Sequence, residues 1–182
     1  MKDVNKEVIK YYIKLAQKLS KKKRIYFERD KDTVYFSDGC FVCAFSVERK
    51  EEFCALCSAF NLPWAGDYMA EFCDGNLFDN KMYIKDLVDE STKKPGKCLM
   101  FTGVSTYERN TKMNIDVFSD NKTVFFYNSM YTKPLKDNDL YLYKANNNGW
   151  TWAVYNVLDV CFLVFPCVSA DSLVKVAKLM NK

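Results

Sequence analysis

The spacing of the apolar residues changes near residue 24, and this change limits the folds that are open to the chain. Over residues 3–21, side chains such as Val8, Tyr12 and Leu19 recur at the three- and four-residue intervals of an amphipathic helix. Over residues 24–47 apolar and polar residues alternate, as they do on a half-buried strand. One element cannot satisfy both periods, so the sequence predicts a fold that combines helices with strands.

The same reasoning assigns an element to most of the remaining chain. Strands are predicted at 24–29, 33–38, 40–47, 97–104, 112–118, 122–127, 140–144, 149–156 and 160–167. Helices are predicted at 3–21, 48–60, 81–90 and 170–181. Segment 61–80 has no clean period and is predicted as a loop with room for one helical turn. Segment 91–97 combines Pro, Gly and charge and is the best linker candidate.

The predicted fold class is α+β, with antiparallel sheets, packed helices, an amphipathic helix at the N-terminus and an extra helix at the C-terminus. With 182 residues, the chain is predicted to form a single domain, 1–182. Each half contains a group of three predicted strands beside a helix. Two structural halves, 1–92 and 97–182, therefore remain an alternative within that domain.

Missing residue types narrow the chemistry. The chain has no histidine, which excludes Ser-His and Cys-His nucleophilic pairs, His-ligated zinc and the commonest general base. Neither G-x-G-x-x-G nor G-x-x-x-x-G-K-[ST] occurs, so we expect no enzymatic activity, no catalytic residues and no cofactor. Eight cysteines without a secretory signal favour free thiols in a reducing cytoplasm. The longest apolar run, VCFLVFPCV, is too short to span a membrane.

Positive charge is concentrated at the N-terminus, where residues 1–24 carry nine Lys/Arg and two Asp/Glu. Lysines at every fourth position form a stripe opposite the apolar face of the predicted helix, without the glutamates that normally interleave. A solvated helix face is one interpretation, and contact with phosphate groups or an acidic protein surface is the other. The candidate nucleic-acid-binding or partner-binding residues are Lys6, Lys10, Lys14, Lys18, Lys21, Lys22, Lys23 and Arg24.

Two C-x-x-C pairs have the spacing typical of a small zinc site: Cys40 with Cys43, and Cys54 with Cys57. In a regular strand, however, Cys40 and Cys43 point to opposite faces and cannot bind one ion. Cys54 and Cys57 share a predicted helix face with apolar residues, which indicates core packing. Structural thiols are therefore favoured over a four-cysteine metal site.

Asp38, Glu48 and Lys50 form a D-x(9)-E-x-K string of the kind that holds Mg²⁺ in some nucleases. If 40–46 is a strand, the two carboxylates lie on the order of 30 Å apart, which is too far for them to share an ion. A turn aspartate and a helix-start glutamate are the favoured interpretation. A carboxylate-metal nuclease is retained as an alternative.

Two segments carry a resemblance to known proteins: DTVYFSDGCFVCAFSVE, a strand, a D-G turn and an apolar strand, and YNVLDVCFLVFPCVSA, an apolar strand that ends in Phe-Pro. With its strand and helix order, the chain resembles one domain of the bacterial sliding clamp, the β subunit of DNA polymerase III. It also resembles small proteins carried by phages and plasmids of gut Firmicutes, which include type II-A anti-CRISPR inhibitors of Cas9. The resemblance covers residues 24–48 and 139–169.

This resemblance implies a non-enzymatic binding protein of a mobile genetic element, an anti-CRISPR protein that inhibits a Cas9-type effector. Such an inhibitor binds the effector, its guide RNA or its target DNA. The alternative is a nucleic-acid-binding accessory protein with a clamp-like fold. The expected setting is the cytoplasm of a bacterial host, with no membrane partner and with a monomer or a homodimer as the oligomeric state.

Overall fold

Eleven strands of the described residues form one antiparallel sheet, and helices pack on both of its faces. The computed structural model describes residues 4–93, 96–109, 111–144, 151–157 and 159–166. The strands are β1 Ile25–Asp30, β2 Thr33–Ser37, β3 Phe41–Ser46, β4 Tyr68–Cys73, β5 Asn76–Asp79, β6 Cys98–Glu108, β7 Met113–Ser119, β8 Val124–Asn128, β9 Leu140–Lys144, β10 Thr151–Val157 and β11 Val160–Val164. The α-helices among the described residues are α1 Val4–Leu19, α2 Lys50–Phe60, α3 Ile84–Lys93 and α4 Ser129–Thr132, which a 3-10 turn at Lys133–Leu135 follows. Across the sheet, the strand order is β5-β4-β1-β2-β3-β11-β10-β9-β6-β7-β8.

The α+β class predicted from the sequence is confirmed, and one sheet takes the place of the predicted sheets. The prediction of a loop for 61–80 is wrong, because β4 and β5 form a hairpin there. Asp74 and Gly75 close this hairpin with φ angles of 50° and 82°, the left-handed conformation that a two-residue turn requires. The helix predicted at 170–181 lies outside the described residues.

Strands β3 and β11, which are distant in sequence, lie side by side at the middle of the sheet. Cys43 is opposite Phe162, and Phe41 is opposite Val164. Every residue of β11 is buried, as is every residue of β3 except Ser46. Strands that are apolar on both sides need cover on both sides, so the helices form two layers around this pair.

Tyr12 of α1 anchors the first layer on the sheet. Its ring stacks on Phe41 and Phe162, with centroid distances of 5.0 and 5.1 Å. Its hydroxyl donates a hydrogen bond to the backbone carbonyl of Tyr131, so the polar end of the buried side chain is satisfied. α2 packs beside α1 and adds its own apolar face to the same core.

α3 covers the opposite face of the sheet. Ile84 and Val88 pack into a second apolar cluster that includes Leu163 of β11. Glu28 of β1 is buried, and its carboxylate accepts hydrogen bonds from the backbone N–H groups of Ile84 and Lys85. These N–H groups have no partner within the helix, and the helix dipole favours negative charge at this end. Glu28 therefore fixes the start of α3 to the sheet.

Gly96 approaches the neighbouring backbone too closely for any side chain. A Cβ atom placed on Gly96 would lie 1.7 Å from the carbonyl oxygen of Leu142. We expect Gly96→Ala to lower the free energy of unfolding by about 3 kcal/mol, because the backbone must move; urea denaturation measures the loss. Gly103→Ala is the control, since a Cβ there meets open space and only the φ of +80° opposes it, at a cost of about 1 kcal/mol. Equal losses in the two variants would contradict the close approach.

Candidate functional site

Four lysines at the C-terminal end of α1 point into solvent, because the apolar face of the helix packs on the core. Lys14 and Lys18 lie one helical turn apart on α1, and Lys21 and Lys22 follow in the turn that closes it. All four side chains are exposed. Within the part of the chain that the structure describes, none of them forms an ion pair. We call Lys14, Lys18, Lys21 and Lys22 the basic ridge.

The charges of the basic ridge are close enough to act together. Residues four positions apart on a helix are separated by about 6 Å along its axis. This spacing is shorter than the ~10 Å over which charges act at ordinary salt concentrations. Positive side chains also suit the partial negative charge at the C-terminal end of a helix. The ridge therefore presents a concentrated cationic surface to solvent, and the helix dipole offsets part of the repulsion between its like charges.

Lys6 and Lys10 of the predicted lysine stripe share one acidic partner on another helix, which offsets one of their two charges. Lys6 and Lys10 both donate hydrogen bonds to the carboxylate of Glu51 in α2, and the Lys10 bond measures 2.7 Å. Hydrogen bonds from Lys10 and Lys6 lower the pKa of Glu51 to about 2. The sequence predicted a stripe without interleaving glutamates, and Glu51 corrects that prediction. Its position 41 residues beyond Lys10 explains why local spacing did not reveal it.

Lys23 and Arg24, beyond the basic ridge, also have acidic partners. Lys23 Nζ lies 3.4 Å from the buried carboxylate of Asp38. Arg24 forms an ion pair of 3.1 Å with Glu71 of β4. The structure thus divides the eight candidate residues into four that are paired and the four of the basic ridge.

Asp38 uses its carboxylate oxygens within the protein. Oδ1 accepts hydrogen bonds from the backbone N–H groups of Cys40 and Phe41, at 2.8 and 3.2 Å. Oδ2 accepts a hydrogen bond of 2.6 Å from the hydroxyl of Tyr131. Burial, together with this hydrogen bond, raises the pKa of Tyr131 well above its usual range. Asp38 therefore stabilises the turn before β3 and ties it to the segment around α4.

The other members of the nuclease-like string lie at the far end of β3. Glu48 and Lys50 are exposed and follow the six residues of that strand, whereas Asp38 precedes it. Across the described ranges, no group of three or more metal-ligating side chains is brought together. The described part of the chain therefore offers no assembled site for the Mg²⁺ chemistry that the string suggests.

The four cysteines with zinc-like spacing have different environments. Cys43 and Cys57 are buried, Cys40 is half-buried and Cys54 is exposed. Burial raises the pKa of Cys40 and Cys43, and it raises the pKa of Cys57 to about 11. Metal binding requires thiolates, which these raised values disfavour. The prediction that Cys54 shares the packed face of α2 is wrong, since its side chain points to solvent.

Asp116 of β7 is a further buried carboxylate, which the sequence patterns do not single out. Its Oδ1 accepts hydrogen bonds from Ser105 Oγ at 2.6 Å, Ser129 Oγ at 2.7 Å and Lys136 Nζ at 2.8 Å. Its Oδ2 accepts one from Thr132 Oγ1 at 2.7 Å. The sequence carries one signal that could have identified Asp116, which is an aspartate among the apolar residues of a predicted strand. A charge buried at such a position needs hydrogen-bond partners.

These hydrogen bonds decide the charge state of Asp116. Burial alone would raise its pKa, but the hydrogen bonds from Lys136, Ser105, Thr132 and Ser129 outweigh burial and hold the pKa below its ordinary value. With four donors already in place, the carboxylate has little capacity left for a substrate. Asp116 instead joins α4 and the following 3-10 turn to the sheet.

We expect Asp116→Asn to lower the free energy of unfolding at neutral pH by about 3 kcal/mol, because a buried ion pair loses one partner. The folded-state pKa is below the unfolded value, so the Asp116 contribution is present above about pH 4 and is lost as the pH falls. The variant should therefore lose less stability on acidification than the parent protein. Urea denaturation along a pH series measures both effects.

Asp137→Asn is the matched control, since Asp137 is an exposed acid near the same 3-10 turn. It should leave the neutral-pH stability nearly unchanged. If Asp116→Asn behaved like Asp137→Asn, the buried network would not contribute as the geometry indicates.

No family model, curated protein or solved structure matches the chain. Across the described ranges, every helix is too short or too polar to cross a membrane. The functional interpretation therefore starts from the exposed charge of the basic ridge.

Proposed function

We propose that this chain is a non-enzymatic binding protein whose basic ridge contacts the phosphate backbone of a nucleic acid. The observation that carries the proposal is the exposure of four neighbouring lysines, none of them ion-paired within the described residues. Lysines that neutralise phosphates release condensed counterions, and this release drives nucleic-acid binding without reading the sequence. The expected binding is therefore electrostatic and largely independent of base sequence.

The alternative partner for such a surface is an acidic protein. The helical spacing is compatible with nucleic acid, because an advance of about 6 Å per turn corresponds to about two phosphate steps along the duplex axis, where each strand carries one charge per ~3.4 Å. Two successive lysines of α1 can therefore follow the backbone of a single strand.

Changing the four residues of the basic ridge together to glutamine should weaken binding to duplex or single-stranded nucleic acid about tenfold or more at low salt. Glutamine keeps the length and helix propensity of the side chain and removes only the charge. Fluorescence anisotropy with a labelled oligonucleotide measures the affinity. The control changes the same number of exposed lysines elsewhere to glutamine: Lys31, Lys93, Lys112 and Lys122.

The control variant has the same net charge as the ridge variant, so it separates the local surface from the overall charge. Equal affinities for the two variants would contradict the proposed role of the ridge. Loss of nucleic-acid binding in both would indicate that only the net charge matters.

The resemblance of residues 24–48 and 139–169 supports a narrower proposal: the protein inhibits a Cas9-type effector in the cytoplasm of a bacterial host. In this setting the bound nucleic acid is the guide RNA or the target DNA, which the effector holds in a positively charged channel. A protein with a net charge of +4 is poorly suited to mimic DNA. Competition for the nucleic acid, or contact with both it and the effector, fits the charge better.

Cleavage assays with several type II-A Cas9 effectors test this proposal directly. Target DNA and guide RNA are supplied in excess over the effector, and the parent protein, the ridge variant or the control variant is added in excess over the nucleic acid. We expect the parent protein and the control variant to reduce cleavage and the ridge variant to reduce it less. Unchanged cleavage by every effector, together with retained DNA binding, would favour the nucleic-acid-binding accessory protein. Nicking that requires Mg²⁺ and disappears in Glu48→Ala would favour the nuclease.

A further inference from the structure

The two open edges of the sheet differ in what they expose. β5 and β8 are the outermost strands. Phe78 of β5 is 52% exposed, and Met82 and Tyr83, which follow it, are also exposed. Within the described residues, β8 carries no exposed large apolar side chain. An open strand edge with exposed apolar side chains is a template for another strand, so β5 is the edge that is suited to pairing.

The hairpin register shows which backbone groups of β5 are free to pair. The two-residue turn makes Cys73 and Asn76 a hydrogen-bonded pair, and the next such pair is Glu71 with Phe78. The hydrogen bond of 3.2 Å from the Asn80 N–H to the carbonyl of Met69 continues this alternation. The residues between them, Leu77 and Asp79, therefore direct their N–H and C=O groups away from β4 and towards the open edge.

We propose that a second copy of this chain pairs with β5 in an antiparallel arrangement about a two-fold axis at Phe78. In this register, Leu77 of each copy exchanges two backbone hydrogen bonds with Asp79 of the other. Phe78 lies directly opposite Phe78 of the second copy at a non-hydrogen-bonded position, where side chains approach most closely. The exposed ring thus gains an aromatic partner, and each copy contributes the same surface, as two-fold symmetry requires.

Charge complementarity favours a second copy over an unrelated strand. Asp74, in the turn before β5, and Lys81, two residues after it, are both exposed. Among the described residues, no ion pair involves either side chain. The two-fold register brings the turn that carries Asp74 beside Lys81 of the other copy, and it does so twice. Each copy thus supplies an acid to the base of the other copy and a base to its acid.

The short strand limits the strength of this contact. Two residues per copy provide the backbone hydrogen bonds, and such an edge contact buries less than the ~1,200 Å² of a stable interface. We therefore expect a reversible dimer with a dissociation constant on the order of 10⁻⁴ M. Sedimentation velocity of the full chain, from low micromolar to near-millimolar concentration, covers this range.

Phe78→Lys should weaken the dimer about tenfold or more, because it removes the aromatic pair and places two like charges opposite each other. Tyr107→Lys is the control, since Tyr107 of β6 is exposed to a similar degree, 51% against 52% for Phe78. Both positions lie at the surface, so urea denaturation should show little change in stability for either variant. A parent protein that remains monomeric throughout, or a dimer that Phe78→Lys does not affect, overturns the proposal.

The register itself is tested by exchanging the charges. Asp74→Lys and Lys81→Asp should each weaken the dimer several-fold, and the double variant should restore it. In addition, Phe78→Cys should form a disulfide-linked dimer on mild oxidation, whereas Tyr107→Cys should not, because only position 78 faces itself across the axis. A dimer that the double variant does not restore, or that does not crosslink preferentially through position 78, contradicts this register.

Discussion

The pairing of β3 with β11 is the constraint on which the rest of the structure depends. Both strands are apolar on both sides, so neither face of the central sheet can be left to solvent. α1 and α2 cover one face, and α3 covers the other. The position of α1 follows from this requirement, because Tyr12 must lie between Phe41 and Phe162. Because that face of the helix packs on the core, the lysines on its opposite face point into solvent.

Buried carboxylates connect the outer elements to this central sheet. Glu28 holds the start of α3, Asp38 holds the turn before β3, and Asp116 holds α4. Each accepts hydrogen bonds from groups that would otherwise be unsatisfied, which offsets the cost of its burial. The oxygens of these three carboxylates are thus used for architecture.

The sequence predicted elements with strong periodicity and missed interactions that depend on distant residues. The apolar face of α1 and the strands β1, β2 and β3 were readable because burial imposes a period on each of them. The β4–β5 hairpin was missed, although its Asp74-Gly75 turn is a recognised hairpin signal, because the flanking strands are only partly buried and do not alternate cleanly. The adjacency of β3 and β11 could not be inferred, since no local pattern specifies which strands become neighbours.

In the candidate site, too, local spacing predicted some features, whereas others depend on residues distant in sequence. Helical spacing identified the lysines of α1, but their partition into paired and unpaired groups depends on Glu51, Asp38 and Glu71. These acids come from a helix, a turn and a strand elsewhere in the chain. The prediction that Cys40 and Cys43 point to opposite faces of a strand is wrong, because Cys40 lies before β3 and packs against the same apolar cluster as Cys43. Cys54 was also misjudged, because one helical position decides between core and solvent.

The salt dependence of nucleic-acid binding tests the central claim most directly. If the basic ridge neutralises four phosphates, the logarithm of the binding constant should fall with the logarithm of salt concentration at a slope of about −3 to −4 for duplex DNA. The slope should be close to zero when the four lysines are glutamine. A shallow slope for the parent protein, or a steep slope that survives the removal of the ridge, would contradict the account.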